Sequence, residues 1–208
     1  MARVVVTYAL DSAPTAIVAT IADHAAEILR KHHDVDVLAI ISATRIPFFI
    51  AHMLKKYDGI FYFGHGDTDR LYGQLPFGLI SPLMIKTDNI KTKIIYAVAC
   101  LAGKEFAPSI ISRGTRAIIA NTNYTFVAVP SKERNYFKDF LDIFTTPVKV
   151  LANGGTASEA YHALMGKINN YKNLYQANLR VWPNADYYLW ALEMNSGFKL
   201  FGDPDARL

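Results

Sequence analysis

The feature that most constrains this chain is a short apolar run that keeps returning. Arg3 to Ala9 (RVVVTYA), Val35 to Ile41 (VDVLAII), Gly59 to Phe63 (GIFYF), Lys93 to Ala99 (KIIYAVA) and Arg116 to Ala120 (RAIIA) each predict a strand. Their apolar character is nearly continuous, which suits strands covered on both faces. Helix-spaced sequence lies between them. Thr15 to Lys31 repeats at helical period and follows the N-cap candidates Asp11, Ser12 and Thr15. Arg45 to Lys56 predicts a short helix with Pro47 in its first turn. Gly103 to Gly114 predicts another, in which Pro108 demands a kink or a late start. Strands alternating with helices imply βαβ units, hence an α/β fold around a mostly parallel sheet.

The rest of the chain is less regular. Asp67 to Asn89 is an insert rich in Gly and Pro, best read as a small hairpin and a turn. Ser131 to Phe144 and Gly154 to Asn169 have the pattern of amphipathic helices, while Tyr171 to Met194 is aromatic-rich and resists assignment. Clustered aromatics of that kind are expected to pack in a core. Gly197 to Leu208 ends as a short strand and a Gly-Asp-Pro turn. With no linker or repeat, residues 1–208 read as a single domain.

Composition excludes several classes. Hydrophobic residues make up 51% and charged residues 19%, enough apolar surface for a core. The net charge of +4 comes from scattered Lys and Arg, so nucleic-acid binding is not signalled. No apolar run approaches the ~20 residues that span a bilayer, and no signal peptide is apparent. The lone cysteine, Cys100, rules out an intrachain disulfide and fits a reducing compartment. The expectation is a cytoplasmic protein with no membrane association, no cofactor and no metal site.

In open parallel sheets, functional groups gather at the carboxyl ends of the strands. His65 lies two residues past the third run and Cys100 immediately past the fourth. Neighbouring strands lie ~5 Å apart, so the two side chains can face one crevice, as a thiol nucleophile and a general base require. Gly64 and Gly66 permit a sharp turn beside them. The amides of Gly66 and Cys100 are candidate oxyanion donors. The small residues Ala97, Ala99, Ala102 and Gly103 are expected to leave room for a substrate. A helix starting near Gly103 is expected to lower the thiol pKa.

Other cysteine and phosphate motifs do not fit. A phosphatase loop needs Arg where Phe106 stands, and a nucleophile elbow needs glycines where Val98 and Ala102 stand. A dinucleotide loop needs a third Gly where Asp69 stands, and no P-loop is present.

The segments FYFGHGD, KIIYAVACLAG and GTRAIIA resemble the caspase-like cysteine peptidases of clan CD, most closely gingipain-type peptidases and CHAT domains. The shared pattern is an apolar strand ending in His-Gly, then one ending in a small residue and Cys. His65-Gly66 and Ala99-Cys100 match it, and the carboxyl-terminal GDP is similar too. The resemblance covers Gly59 to Ala120 and the last ten residues. It implies an open sheet of about six strands, helices on both faces and an antiparallel last strand. It implies a Cys-His dyad that hydrolyses peptide bonds in a peptide or protein substrate, with Cys100 as nucleophile, His65 as general acid and base, and the Gly66 and Cys100 amides as oxyanion hole. The caspase residue before Ala-Cys is Gln; here it is Val98, so the caspase aspartate pocket does not transfer. In this fold the loop after the fifth strand contributes to specificity, which makes Asn121 and Asn123 substrate-binding candidates. Asp67 and Asp69 are candidates to orient His65 or attract a basic side chain. Two alternatives remain: a non-catalytic binding or signalling module of the same fold, and a small-molecule thiol hydrolase or acyltransferase.

Overall fold

A computed structural model describes residues 1–8, 12–39, 55–73, 78–80, 91–130 and 134–208. Residues 45–54 of the helix expected over 45–56 and much of the insert lie outside the described residues, as does Asp11. The main sheet is built from β1 (Arg3–Tyr8), β2 (Asp34–Ala39), β3 (Gly59–Phe63), β7 (Ile94–Val98), β8 (Ala117–Asn121) and β9 (Phe198–Gly202), in the order β2-β1-β3-β7-β8-β9. Every pairing is parallel except β8 with β9. This is the six-stranded, mostly parallel α/β sheet with an antiparallel last strand that the sequence resemblance implies. The insert contributes β4 (Gly66–Asp67), β5 (Arg70–Tyr72) and β6 (Gly78–Ile80), an antiparallel three-stranded sheet.

Both faces of the central strands are buried, which is why their sequences run apolar without alternating. On one face Val4, Val6, Phe61, Phe63, Tyr96 and Ile119 pack against α1 (Ala13–Arg30), α3 (Tyr136–Ala152), α4 (Ala157–Ala177) and α5 (Ala185–Asn195). On the other, Val5, Ile60, Tyr62, Ile95 and Ile118 meet α2 (Phe106–Ile111) and residues of β5 and β6.

The helices depart from expectation where local signals conflict. α1 begins with Ser12 as N-cap, reciprocated by Thr15: the Ser12 amide donates to Thr15 Oγ1 at 2.9 Å and the Thr15 amide to Ser12 Oγ at 3.4 Å. α2 is only six residues long and starts at Phe106, so Pro108 falls in its first turn and the late start is the outcome. α3 runs on through Pro147, eight residues beyond the expected end at Phe144. The Thr145 and Thr146 hydroxyls donate to the carbonyls of Leu141 and Asp142, both at 2.7 Å, supplying hydrogen bonds in the turn that the proline weakens.

The aromatic segment resolves into the end of α4 and all of α5, with Asn184 in a left-handed conformation between them. Tyr136 stacks on Tyr188 at 4.1 Å and meets Tyr175 edge-on at 5.3 Å, while the Arg134 guanidinium lies 3.5 Å over Trp182. The carboxyl-terminal turn also has a structural task. Its Pro204 and Ala206 carbonyls accept the first-turn amides of α4, Ser158 and Ala157, at 2.9 and 2.8 Å.

Candidate active site

The register of β3 with β7 pairs Phe63 with Val98. His65 and Cys100 each stand two residues beyond that pair, so equivalent extension past two adjacent parallel strands delivers both to the carboxyl edge of the sheet. Both line one cavity of about 480 Å³. Its other described walls come from the first turns of α1 (Thr15, Ile17, Val18), the strand ends (Gly64, Val98), the loop after β8 (Thr125, Phe126, Val127, Val129) and Tyr187 of α5.

The backbone of His65 is held firmly. Its carbonyl accepts the Tyr72 amide at 3.0 Å and lies 2.5 Å from the Tyr62 hydroxyl. The Gly64 amide donates to the Val98 carbonyl at 3.1 Å, tying the end of β3 to the end of β7. A side chain on Gly64 would meet the Tyr62 hydroxyl at 2.7 Å. The imidazole is exposed, and its Nε2 stands 3.2 Å from Ser12 Oγ. Ser12 was legible only as a helix cap; its second contact crosses 53 residues of sequence.

Gly66 has a different reason to be glycine. A Cβ there would approach the Cys100 carbonyl at 2.6 Å and the Ala99 methyl at 2.9 Å. The His65-Gly66 turn therefore lies directly on the backbone of Cys100.

Cys100 is half-buried and its sulfur meets Thr125. The thiol donates to the Thr125 carbonyl at 3.8 Å, and the Thr125 amide donates to Sγ at 3.4 Å. Burial pushes the thiol pKa above its ordinary 9.0, with the Thr125 backbone pulling in the opposite direction. This overturns the expectation of a lowered pKa, because the helix invoked for it does not begin at Gly103. Residues 101–105 form turns, and Leu101 takes a left-handed φ of 57°. The small residues also act differently from expectation. Ala97, Ala99 and Ala102 are buried in the core on the α2 face, and Gly103 packs on the Asn121–Thr122 backbone.

The loop after β8 reaches the site, though not through its asparagines. Asn121 is 0% exposed. Its amide group donates to the Tyr124 carbonyl at 3.2 Å and Thr125 Oγ1 at 3.1 Å, and its carbonyl oxygen accepts the Asn123 amide at 2.9 Å. The Thr125 hydroxyl donates in turn to the Ala99 carbonyl at 2.8 Å. Asn121 thus shapes the loop that holds the cysteine, and Asn123 is exposed; neither lines the cavity. Asn195, the last residue of α5, clamps Phe126 from behind: its side chain accepts the Phe126 amide at 3.0 Å and donates to the Phe126 carbonyl at 2.9 Å.

Asp67 also does not line the cavity. It accepts the Thr68 amide at 2.7 Å, with the Tyr72 hydroxyl at 3.5 Å. Asp69 pairs with Arg70 at 2.7 Å, which holds its carboxyl below the usual range. Both aspartates thus have partners within the insert. Among the described residues there is no cluster of His, Cys, Asp and Glu able to hold a metal ion, and no helix long and apolar enough to cross a membrane.

No family model matches this chain, and no curated protein matches it. Solved structures that match include a secreted C11 cysteine protease from Bacteroides thetaiotaomicron, determined in complex with an irreversible peptide inhibitor. The two are 12% identical with a TM-score of 0.44, over 85% of this chain and 59% of that one.

Proposed function

We propose that this chain is a caspase-like cysteine peptidase in which Cys100 attacks a peptide carbonyl with His65 as its base. The observation that carries the reading is that His65 and Cys100 line one cavity, each two residues past a pair of strand residues in register. The residue pattern His-Gly then Ala-Cys gives that geometry its chemical assignment.

The raised thiol pKa bears on the mechanism. Burial opposes ionisation of the thiol, which favours a proton that leaves during attack rather than before it. His65 takes the proton as Sγ bonds to the carbonyl carbon, and the carbonyl oxygen gains the negative charge. The amides of Gly66 and Cys100 are the donors assigned to that oxyanion. Collapse expels the amine, which takes the proton from His65, and leaves a thioester on Cys100. Water then attacks the thioester, again with His65 as base, releasing the acid and restoring the thiol. The decisive experiment is hydrolysis of a fluorogenic peptide library by the wild type, Cys100→Ala and His65→Ala. Cleavage by the wild type and its loss in both variants is the expected result; a wild type that cuts nothing in the library defeats the reading.

A second reading, a non-catalytic module of the same fold, is favoured by one observation. The thiol's hydrogen-bond partners at 3.8 and 3.4 Å are both backbone atoms of Thr125, and burial opposes its ionisation. Such a protein retains its fold and binding but gives the same zero rate before and after Cys100→Ala.

A further inference from the structure

We infer that the cavity beside Cys100 selects an uncharged, apolar side chain on the carbonyl side of the bond to be cut. The inference rests on the peptidase reading for its chemistry and on the cavity wall for its selectivity. Ile17, Val18, Val98, Phe126, Val127 and Val129 make up half of its twelve described lining residues. None of the described residues lining it carries a carboxylate, an ammonium or a guanidinium.

A charged substrate side chain entering such a cavity gives up hydration and meets no counter-ion among the described lining residues, which is unfavourable. An apolar one gains from leaving water, and the volume of about 480 Å³ falls in the range of sites that hold a small ligand or a large side chain.

The mouth of the cavity continues the same chemistry. Tyr187 is 53% exposed and Trp190 46% exposed, and their rings lie 5.9 Å apart. Trp190 also packs against Phe126 at 4.6 Å. An exposed aromatic shelf therefore joins the cavity through Phe126, whose backbone Asn195 fixes at both its amide and its carbonyl. That shelf suits the residues of an apolar peptide flanking the one in the cavity. Tyr136 and Tyr175 are buried packing groups, whereas Tyr187, which lines the cavity, and its neighbour Trp190 are exposed.

The test uses peptides that differ only at the residue before the scissile bond: Leu, Phe and Met against Arg, Lys, Asp and Glu. For the wild type, kcat/KM is expected to favour the apolar set by about 100-fold or more. Ile17→Glu, at a half-buried wall position in a helix, is expected to bring the Lys and Arg peptides up at least about tenfold relative to Leu. Val129→Glu, at a 56%-exposed wall position, is the second variant should the first fail to fold. Cleavage that depends on Cys100 but prefers charged residues, unmoved by either substitution, overturns the inference while leaving the peptidase reading intact. If no peptide is cut, the peptidase reading falls, and binding decides the cavity. Blocked peptides are then titrated against Cys100→Ala by tryptophan fluorescence. Leu and Phe peptides binding at least about tenfold tighter than charged ones support the inference; equal binding, or none, overturns it.

Discussion

Ser12 Oγ stands 3.2 Å from His65 Nε2 while the same oxygen accepts the amide that opens α1. One hydroxyl therefore links the start of the first helix to the candidate base. If Ser12 accepts from Nε2–H, the contact sets the tautomer of the candidate base. Ser12→Gly separates the two tasks, because glycine costs an N-cap only a few tenths of a kcal/mol whereas Ala costs about 1 kcal/mol. The expected outcome for Ser12→Gly is a nearly unchanged melting temperature, a several-fold drop in kcat and a displaced pH profile of kcat/KM. Ser12→Thr, which keeps the hydroxyl, restores the profile. An unchanged profile in Ser12→Gly would leave Ser12 as a cap alone.

Cys100 supplies the second prediction, through the direction of its pKa. Its folded-state value lies above the ordinary 9.0, first because it is buried. The pH dependence of iodoacetamide labelling should therefore have its midpoint above 9.0 in the folded protein and fall back in denaturant. The sign for stability follows. The fold favours the protonated thiol, so this contribution is complete below the unfolded-state pKa and is lost as pH rises through the folded-state pKa. Thermal melts of wild type and Cys100→Ser should run parallel up to about pH 7 and diverge to the wild type's disadvantage as pH rises beyond 9.0. A labelling midpoint near neutrality would instead indicate a preformed thiolate.

The strands of the central sheet were readable because burial on both faces removes polar alternation, leaving near-continuous apolar runs such as Gly59–Phe63 and Ile94–Val98. His65 and Cys100 were readable for a related reason: parallel strands in register carry their ends to one edge. Ser12 and Thr125 were not, because their contacts to the pair bridge 53 and 25 residues and no local pattern marks them. Asn121 was a substrate-binding candidate through its place in the loop after the fifth strand, whereas its buried side chain bonds within that loop and does not line the cavity. Proline at 147 hid half of α3, since the threonines before it supply replacement hydrogen bonds that propensity alone does not reveal.

Gly66→Ala tests the proximity of the two segments that carry His65 and Cys100. The added methyl has the Cys100 carbonyl at 2.6 Å and the Ala99 methyl at 2.9 Å, neither at the end of a flexible side chain. The turn must move away from Cys100, carrying with it the candidate base and the proposed oxyanion donor. The expected loss in kcat is about 100- to 1000-fold, the size seen when one such donor is removed, with a smaller change in KM. Retained activity in a folded Gly66→Ala protein would remove this turn from the mechanism.

Asn121→Ala tests whether the loop after β8 sets the reactivity of the thiol. The substitution strands the Asn123 amide and removes the donor that reaches the Tyr124 carbonyl and Thr125 Oγ1, all near a fully buried position. An orphaned buried group costs about 1–3 kcal/mol, and these are part-buried, so a moderate fall in melting temperature is expected. Stability alone would not distinguish a structural role from a functional one. The loop also carries the Thr125 amide that approaches Sγ, and that contact lowers the thiol pKa against burial. Weakening it should raise the labelling midpoint of Cys100 further, measured well below the melting temperature. A destabilised protein whose midpoint matches the wild type would confine Asn121 to holding the fold.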